Sequence, residues 1–181
     1  WITPERLATM ISMTRPSRKR SAGSPTRSAG LSAPMLPNQP WPLLDIVKKN
    51  VDKGFYDRGL LNAYSEEEWA ALERAIDHHK DEHFTYVAME QFRGKYLVQN
   101  RVTGEIFETP QVAYMLIAAT LFQTYEKSQR LQWVKDYYNA VSNHDISLPT
   151  PVMAGVRTPQ KQFSSCVLIE SGDSLDSINA T

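Results

Sequence analysis

The chain holds one cysteine, Cys166, in the apolar run Cys166-Val-Leu-Ile169, so any thiol chemistry must use that sulfur. On such a run a cysteine reads as a small core residue of a buried strand, and a thiol with a pKa near ~8.5 is mostly protonated at neutral pH. Two imidazoles, His79 and His83 in Asp77-His-His-Lys-Asp-Glu-His83, stand one helical turn apart and invite a metal. The order is not His-Glu-x-x-His, and the mixed charges around them fit a solvated helix surface, so no metal site is assigned. A third group is Glu170-Ser-Gly-Asp-Ser-Leu-Asp176, where an apolar run, a glycine turn and a helix start follow one another. A helix start offers free amides to anions, and Asp173 can accept hydrogen bonds from sugar hydroxyls, but on the residues alone the favoured reading of Asp173 or Ser174 is an ordinary N-cap. Finally, Arg18-Lys19-Arg20 could meet phosphates from a flexible arm, against the plainer reading of a solvated tail.

The elements that would carry these groups are mainly helical. Leu43, Leu44, Val47 and Val51 share one helical face, and Gly54 suits the end of that helix. Ser65-Glu-Glu-Glu68 is a capping box followed by Trp69, Leu72, Ala75 and Ile76 at core spacing, which predicts a second helix running through the histidines. Residues 96–107 predict a β-hairpin, with β-branched and aromatic runs on either side of a polar link containing Gly104. Pro110 opens a long helix that is apolar on nearly every side, as a buried helix must be. Another follows from Ser128 or Gln129 to about Val141, with Leu131, Val134, Tyr137 and Tyr138 inward. Beyond it, Pro149, Pro151 and Pro159 argue against regular helix, and Val152-Met153 and Cys166-Val-Leu-Ile169 are predicted as buried strands.

Composition sets broader bounds. A chain of 181 residues can bury a substantial core, and its formal charge of zero is unevenly spread. Residues 1–30 hold six Lys/Arg against one Glu, which leaves the remainder acidic. The stretch Thr14–Pro42 carries six of the eleven prolines with many Ser, Arg and Gly, a composition that predicts a disordered basic tail or linker over residues 1–40. No apolar run approaches the ~20 residues of a membrane span, and Trp1–Met13 has no signal-peptide pattern. A single cysteine gives no internal disulfide and no argument for secretion, so a cytoplasmic location is expected.

The segments Ser147–Ala180 and Gly94-Lys-Tyr-Leu-Val-Gln-Asn-Arg-Val-Thr-Gly-Glu-Ile-Phe-Glu108, taken back to about Asp45, resemble the large, catalytic subunit of class I ribonucleotide reductase over roughly three quarters of the chain. That resemblance implies an α/β fold, mostly α here: a helical N-terminal domain at 41–145, then the first strands of a ten-stranded α/β barrel at 146–181. It implies reduction of ribonucleoside diphosphates to deoxyribonucleotides. Cys166 matches one of two thiols that supply electrons as the ribose 2′-hydroxyl leaves as water. Thr150 and Ser165 match substrate contacts, suited to diphosphate oxygens. Asp173, Ser174 and Leu175 match the site of the nucleoside triphosphate specificity effector, across the interface of a large-subunit homodimer. Ser171 stands where some members have another cysteine, and residues 1–40 match no ATP-binding activity domain.

The implied partners are a small subunit bearing a metal-generated radical, and thioredoxin or glutaredoxin to restore the thiols. No cofactor is expected on these residues themselves, and without the remainder of the barrel they should not turn over. The alternative from another class is a non-catalytic helical interaction module with a basic tail for nucleic acid.

Overall fold

The computed structural model describes residues 41–161, 163–164, 166 and 168–180. The expected disordered tail at 1–40, with its Arg18-Lys19-Arg20 cluster, and Ser165 lie outside the described residues. Eight α-helices are described: α1 Leu43–Asp52, α2 Arg58–Ala63, α3 Glu66–Glu73, α4 Tyr86–Gln91, α5 Pro110–Phe122, α6 Lys127–Ser142, α7 Thr150–Gly155 and α8 Leu175–Asn179. A 3-10 helix at His78–His83 and a π-turn at Phe92–Tyr96 complete the regular backbone.

Helix α5 is the centre of the packing. Every residue from Pro110 to Thr120 is buried, so it has no solvent face to reserve for polar side chains. Thr109 caps it by accepting from the Val112 amide at 3.3 Å, and Pro110 opens it where no N–H is needed. Helix α6 lies against α5 with Val134, Tyr137, Tyr138 and Val141 buried. Helix α1 turns Leu43, Ile46, Val47 and Val51 inward, then stops at Lys53 before Gly54, whose φ of +75° is the left-handed conformation that glycine tolerates.

The predicted second helix is interrupted. Its capping box is formed, with the Ser65 amide 2.8 Å from Glu68 Oε2 and the Glu68 amide 3.3 Å from Ser65 Oγ. The helix ends at Glu73, however, and Asp77 takes an extended conformation and begins a separate 3-10 helix, its side chain accepting from the His79 amide. A tertiary contact holds this break: the Asp77 amide donates to the Tyr138 hydroxyl at 2.9 Å. His79 and His83 thus do not share an α-helical face. The His79 ring lies exposed beside Glu82.

At 98–107 the chain doubles back with one antiparallel bridge, Gln99 to Ile106, flanked by hydrogen bonds from Phe107 N to Val98 O and from Asn100 N to Glu105 O. Asn100 Oδ1 accepts from the Val102 and Thr103 amides, and Gly104 has a φ of +74°. Tyr96, placed in the hairpin by its side-chain type, instead closes the π-turn.

The region after Ser147 departs most from expectation. Val152 and Met153 belong to a helix, α7, and no strand occurs among the described residues. The prolines that argued against helix sit where helix permits them: Pro149 is the N-cap and Pro151 lies in the first turn, so neither removes an internal hydrogen bond. Cys166 is exposed and in no regular element, where a buried strand was predicted, and Leu168 is fully exposed. A strand pairs its N–H and C=O groups with adjoining strands, and no strand is formed among the described residues to offer such a ladder. Among the described residues, no helix is long and apolar enough to cross a membrane.

Candidate functional site

The residues matched to substrate and redox roles fall on or after α7, so the site begins with what holds that helix. Six residues long, α7 could not persist alone, because nucleating so short a helix costs more than its few hydrogen bonds return. Met153 and Val156 are buried against the core, and Arg157, immediately after the helix, is wholly buried. A buried guanidinium requires a carboxylate and a full set of acceptors. Glu108, at the end of the hairpin and just before α5, supplies the carboxylate: Arg157 Nε lies 2.9 and 3.1 Å from its two oxygens, and Arg157 Nη2 also bonds Glu108 Oε1. The remaining donors reach backbone carbonyls, Nη1 to Met153 at 2.6 Å and Nη2 to Tyr96 at 3.0 Å.

Glu108 accepts two more hydrogen bonds, from the Tyr56 hydroxyl at 2.6 Å and from the Val98 amide at 2.7 Å. The Asp57 amide donates to the Arg157 carbonyl at 2.9 Å. One ion pair therefore joins the link after α1, the π-turn, the hairpin, the start of α5 and the end of α7. Burial pushes the Tyr56 phenol well above its usual range, and the negative charge of Glu108 adds to that. For Arg157, burial works against the charged form, but Glu108 outweighs it and the guanidinium is held above its ordinary value. The guanidinium is thus held in its charged form and the phenol in its neutral one, and the hydrogen bonds among Arg157, Glu108 and Tyr56 make the cluster a clamp.

Outside the clamp, an open groove of about 520 Å³ runs between α7 and the hairpin. Phe55, Leu97 and Pro151 give it apolar surface, Lys95 and Arg101 bring positive charge, and no carboxylate borders it among the described residues. Arg101 Nη1 donates to the Gly94 carbonyl at 2.9 Å. Past the groove, Lys161 pairs with Asp57 at 2.7 Å.

Thr150 is the first residue of α7 and half-buried. Cys166 is exposed farther along the chain. Asp173, Ser174 and Leu175 are contiguous and exposed at the start of α8, where Ser174 is the N-cap, accepting from the Ser177 amide at 3.2 Å. The plainer reading of Ser174 is therefore realised. Among the described residues, no group of three His, Cys, Asp or Glu side chains is arranged to hold a metal. Sequence reasoning missed Tyr56, Glu108 and Arg157. The available signal was faint: lone charges beside apolar stretches, Glu108 after Ile106-Phe107 and Arg157 after Val152–Val156.

The helical fold agrees with the sequence comparisons, for residues 82–161 match the family "Ribonucleotide reductase, all-alpha domain". The chain is 59% identical over 143 residues to ribonucleoside-diphosphate reductase 1 subunit alpha of Escherichia coli (strain K12), covering 79% of this chain and 19% of that one. It is 59% identical over 139 residues to subunit alpha of Haemophilus influenzae, covering 77% and 18%. Against subunit alpha of Enterobacteria phage T4 it is 51% identical over 141 residues, covering 78% and 19%. The chain belongs to the ribonucleotide reductase large-subunit family. It spans about a fifth of the length of these curated relatives.

Proposed function

We propose that these residues serve in the large subunit of a class I ribonucleotide reductase, which reduces ribonucleoside diphosphates to deoxyribonucleoside diphosphates for DNA synthesis. The observation that carries this reading is the 59% identity to relatives named as ribonucleoside-diphosphate reductase alpha subunits. In this reading residues 41–145 are the helical domain, and 146–181 lead into the α/β barrel of the complete protein. The neighbouring barrel strands of the complete protein would supply the ladder in which Cys166 takes its place on a strand. The protein would work in the cytoplasm, where reductants keep thiols reduced.

Cys166 is assigned as one of the two redox thiols. As the substrate 2′-hydroxyl departs as water, the two thiols together give up two electrons and two protons and close to a disulfide; thioredoxin or glutaredoxin then returns both. The second thiol must come from outside these 181 residues, whose only cysteine is Cys166. Thr150 and Ser165 are assigned to hold the diphosphate, and Asp173, Ser174 and Leu175 to the triphosphate effector in the homodimer. A metal-bearing small subunit furnishes the radical that starts the reaction. The helical clamp does no chemistry; it supports the segment that does.

The test is turnover by the complete large subunit with its small subunit. Cys166→Ser keeps the size and removes the thiol, so thioredoxin-dependent deoxyribonucleotide formation should vanish while substrate still binds. Full turnover by that variant would refute the assignment. Asp173→Ala should weaken triphosphate control over which base is reduced and affect basal rate less.

A further inference from the structure

We propose that Arg157, held by Glu108 and Tyr56, is a positioning residue for substrate binding, acting through helix α7 on Thr150. This rests on the assignment of Thr150 as a diphosphate contact. The first turn of α7 has no side-chain cap, because its N-cap is Pro149. The Val152 and Met153 amides close that turn on the Pro149 carbonyl at 3.0 and 3.1 Å, but no side chain caps it, so the turn that carries Thr150 moves with a six-residue helix whose orientation is set at its other end. That end is where Arg157 bonds the Met153 carbonyl from inside the core. The same guanidinium bonds the Tyr96 carbonyl and both oxygens of Glu108, so the direction of α7 is referred to the π-turn and the start of α5.

The geometry requires arginine. A guanidinium presents five donors in a planar fork and can serve Glu108, Met153 and Tyr96 together, whereas an ammonium has three donors on a single atom and cannot span the same acceptors. Lysine would keep the charge balance with Glu108 and lose the backbone tether of α7. Stability and positioning can thus be separated by Arg157→Lys. Tyr56→Phe is a gentler second variant, removing only one hydrogen bond from Glu108.

The experiment is a double-mutant cycle in the complete large subunit reconstituted with its small subunit. Arg157→Lys should raise the nucleoside diphosphate KM about tenfold and leave kcat within about twofold, the sign of a displaced binding contact. Combined with Thr150→Ala it should raise KM no further than Thr150→Ala alone, because both remove the same contact. Tyr56→Phe should show a smaller KM rise with the same lack of additivity. Amide exchange should quicken across residues 150–158 in Arg157→Lys and stay unchanged in α5 and α6.

Multiplying KM effects, or a fall in kcat at constant KM, would overturn the proposal, since a merely structural role lowers the active fraction without altering affinity. If Thr150→Ala alone leaves KM unchanged, the assignment of Thr150 fails by itself. The tether is then judged by exchange, and undisturbed protection of residues 150–158 in Arg157→Lys would sink it.

Discussion

Arg157 and Glu108 lie 49 positions apart and meet with both side chains completely removed from water. Their charges have no solvent to fall back on, so the pair is worth little compared with an apolar filling of the same space and a great deal compared with either partner alone. Glu108→Ala should therefore cost ~3–5 kcal/mol by leaving the guanidinium uncompensated. Tyr56→Phe, which removes one donor to a charged acceptor, should cost ~1.5–3 kcal/mol. Urea denaturation of the wild type and the two variants gives the order directly.

Glu68 unites a local and a tertiary role. Its oxygens take the Ser65 amide and, at 2.6 and 3.2 Å, the buried Arg130, which also stacks over the Tyr64 ring. Partial burial pushes the carboxyl up, yet Arg130 and the Ser65 amide outweigh it and the net displacement is downward. A depressed carboxylate contributes stability above its unfolded value near 4.5, and this is lost as pH falls through the lower folded value. Glu68→Gln should lose about 1 kcal/mol at pH 7 and flatten the acid limb of a stability profile.

Asp81 should give the opposite slope. Burial raises its carboxyl from 3.8 to about 6, and the opposing influence of Gln111 and Thr109 is the smaller. Among the described residues its Oδ1 has no hydrogen-bond partner. A raised carboxyl favours the folded state at low pH, and that contribution disappears as pH rises from about 4 through about 6. Asp81→Asn should stabilise the protein at pH 7.5 by on the order of 1 kcal/mol, discounted for partial exposure, and remove this dependence. Thermal melts at pH 5 and 7.5 measure both effects.

Cys166 stands exposed, so a disulfide reagent should titrate one thiol per chain without denaturant, and Cys166→Ser should abolish that reactivity. In the complete subunit, where Cys166 would be flanked by barrel strands, the same reaction should slow by at least about tenfold. Stopped-flow absorbance against Ellman's reagent reads both.

Local signals were legible in the residues themselves. The capping box at Ser65–Glu68, the proline start of α5 with its mostly apolar composition, the inward stripe of α1 and the positive φ at Gly54 and Gly104 each depend on a few neighbouring side chains. The family resemblance was legible for the same reason, since it rests on residue order alone. Where the second helix breaks was decided by Tyr138, whose hydroxyl takes the Asp77 amide from 61 positions away. Whether Val152-Met153 became strand or helix was likewise not local: the run suits both, Pro149 and Pro151 permit a first helical turn, and Arg157 then secures that turn to the core. The pairing of Arg157 with Glu108 has no trace in periodicity, because two isolated charges become one clamp only when helices from distant parts of the chain exclude water between them. Sequence by itself determined that α1, α3, α5 and α6 are helical and to which family the chain belongs; the tertiary structure decided where helices end, that Val152-Met153 is helix and which charges are buried, because desolvation and hydrogen-bond geometry arise only once those segments are packed together.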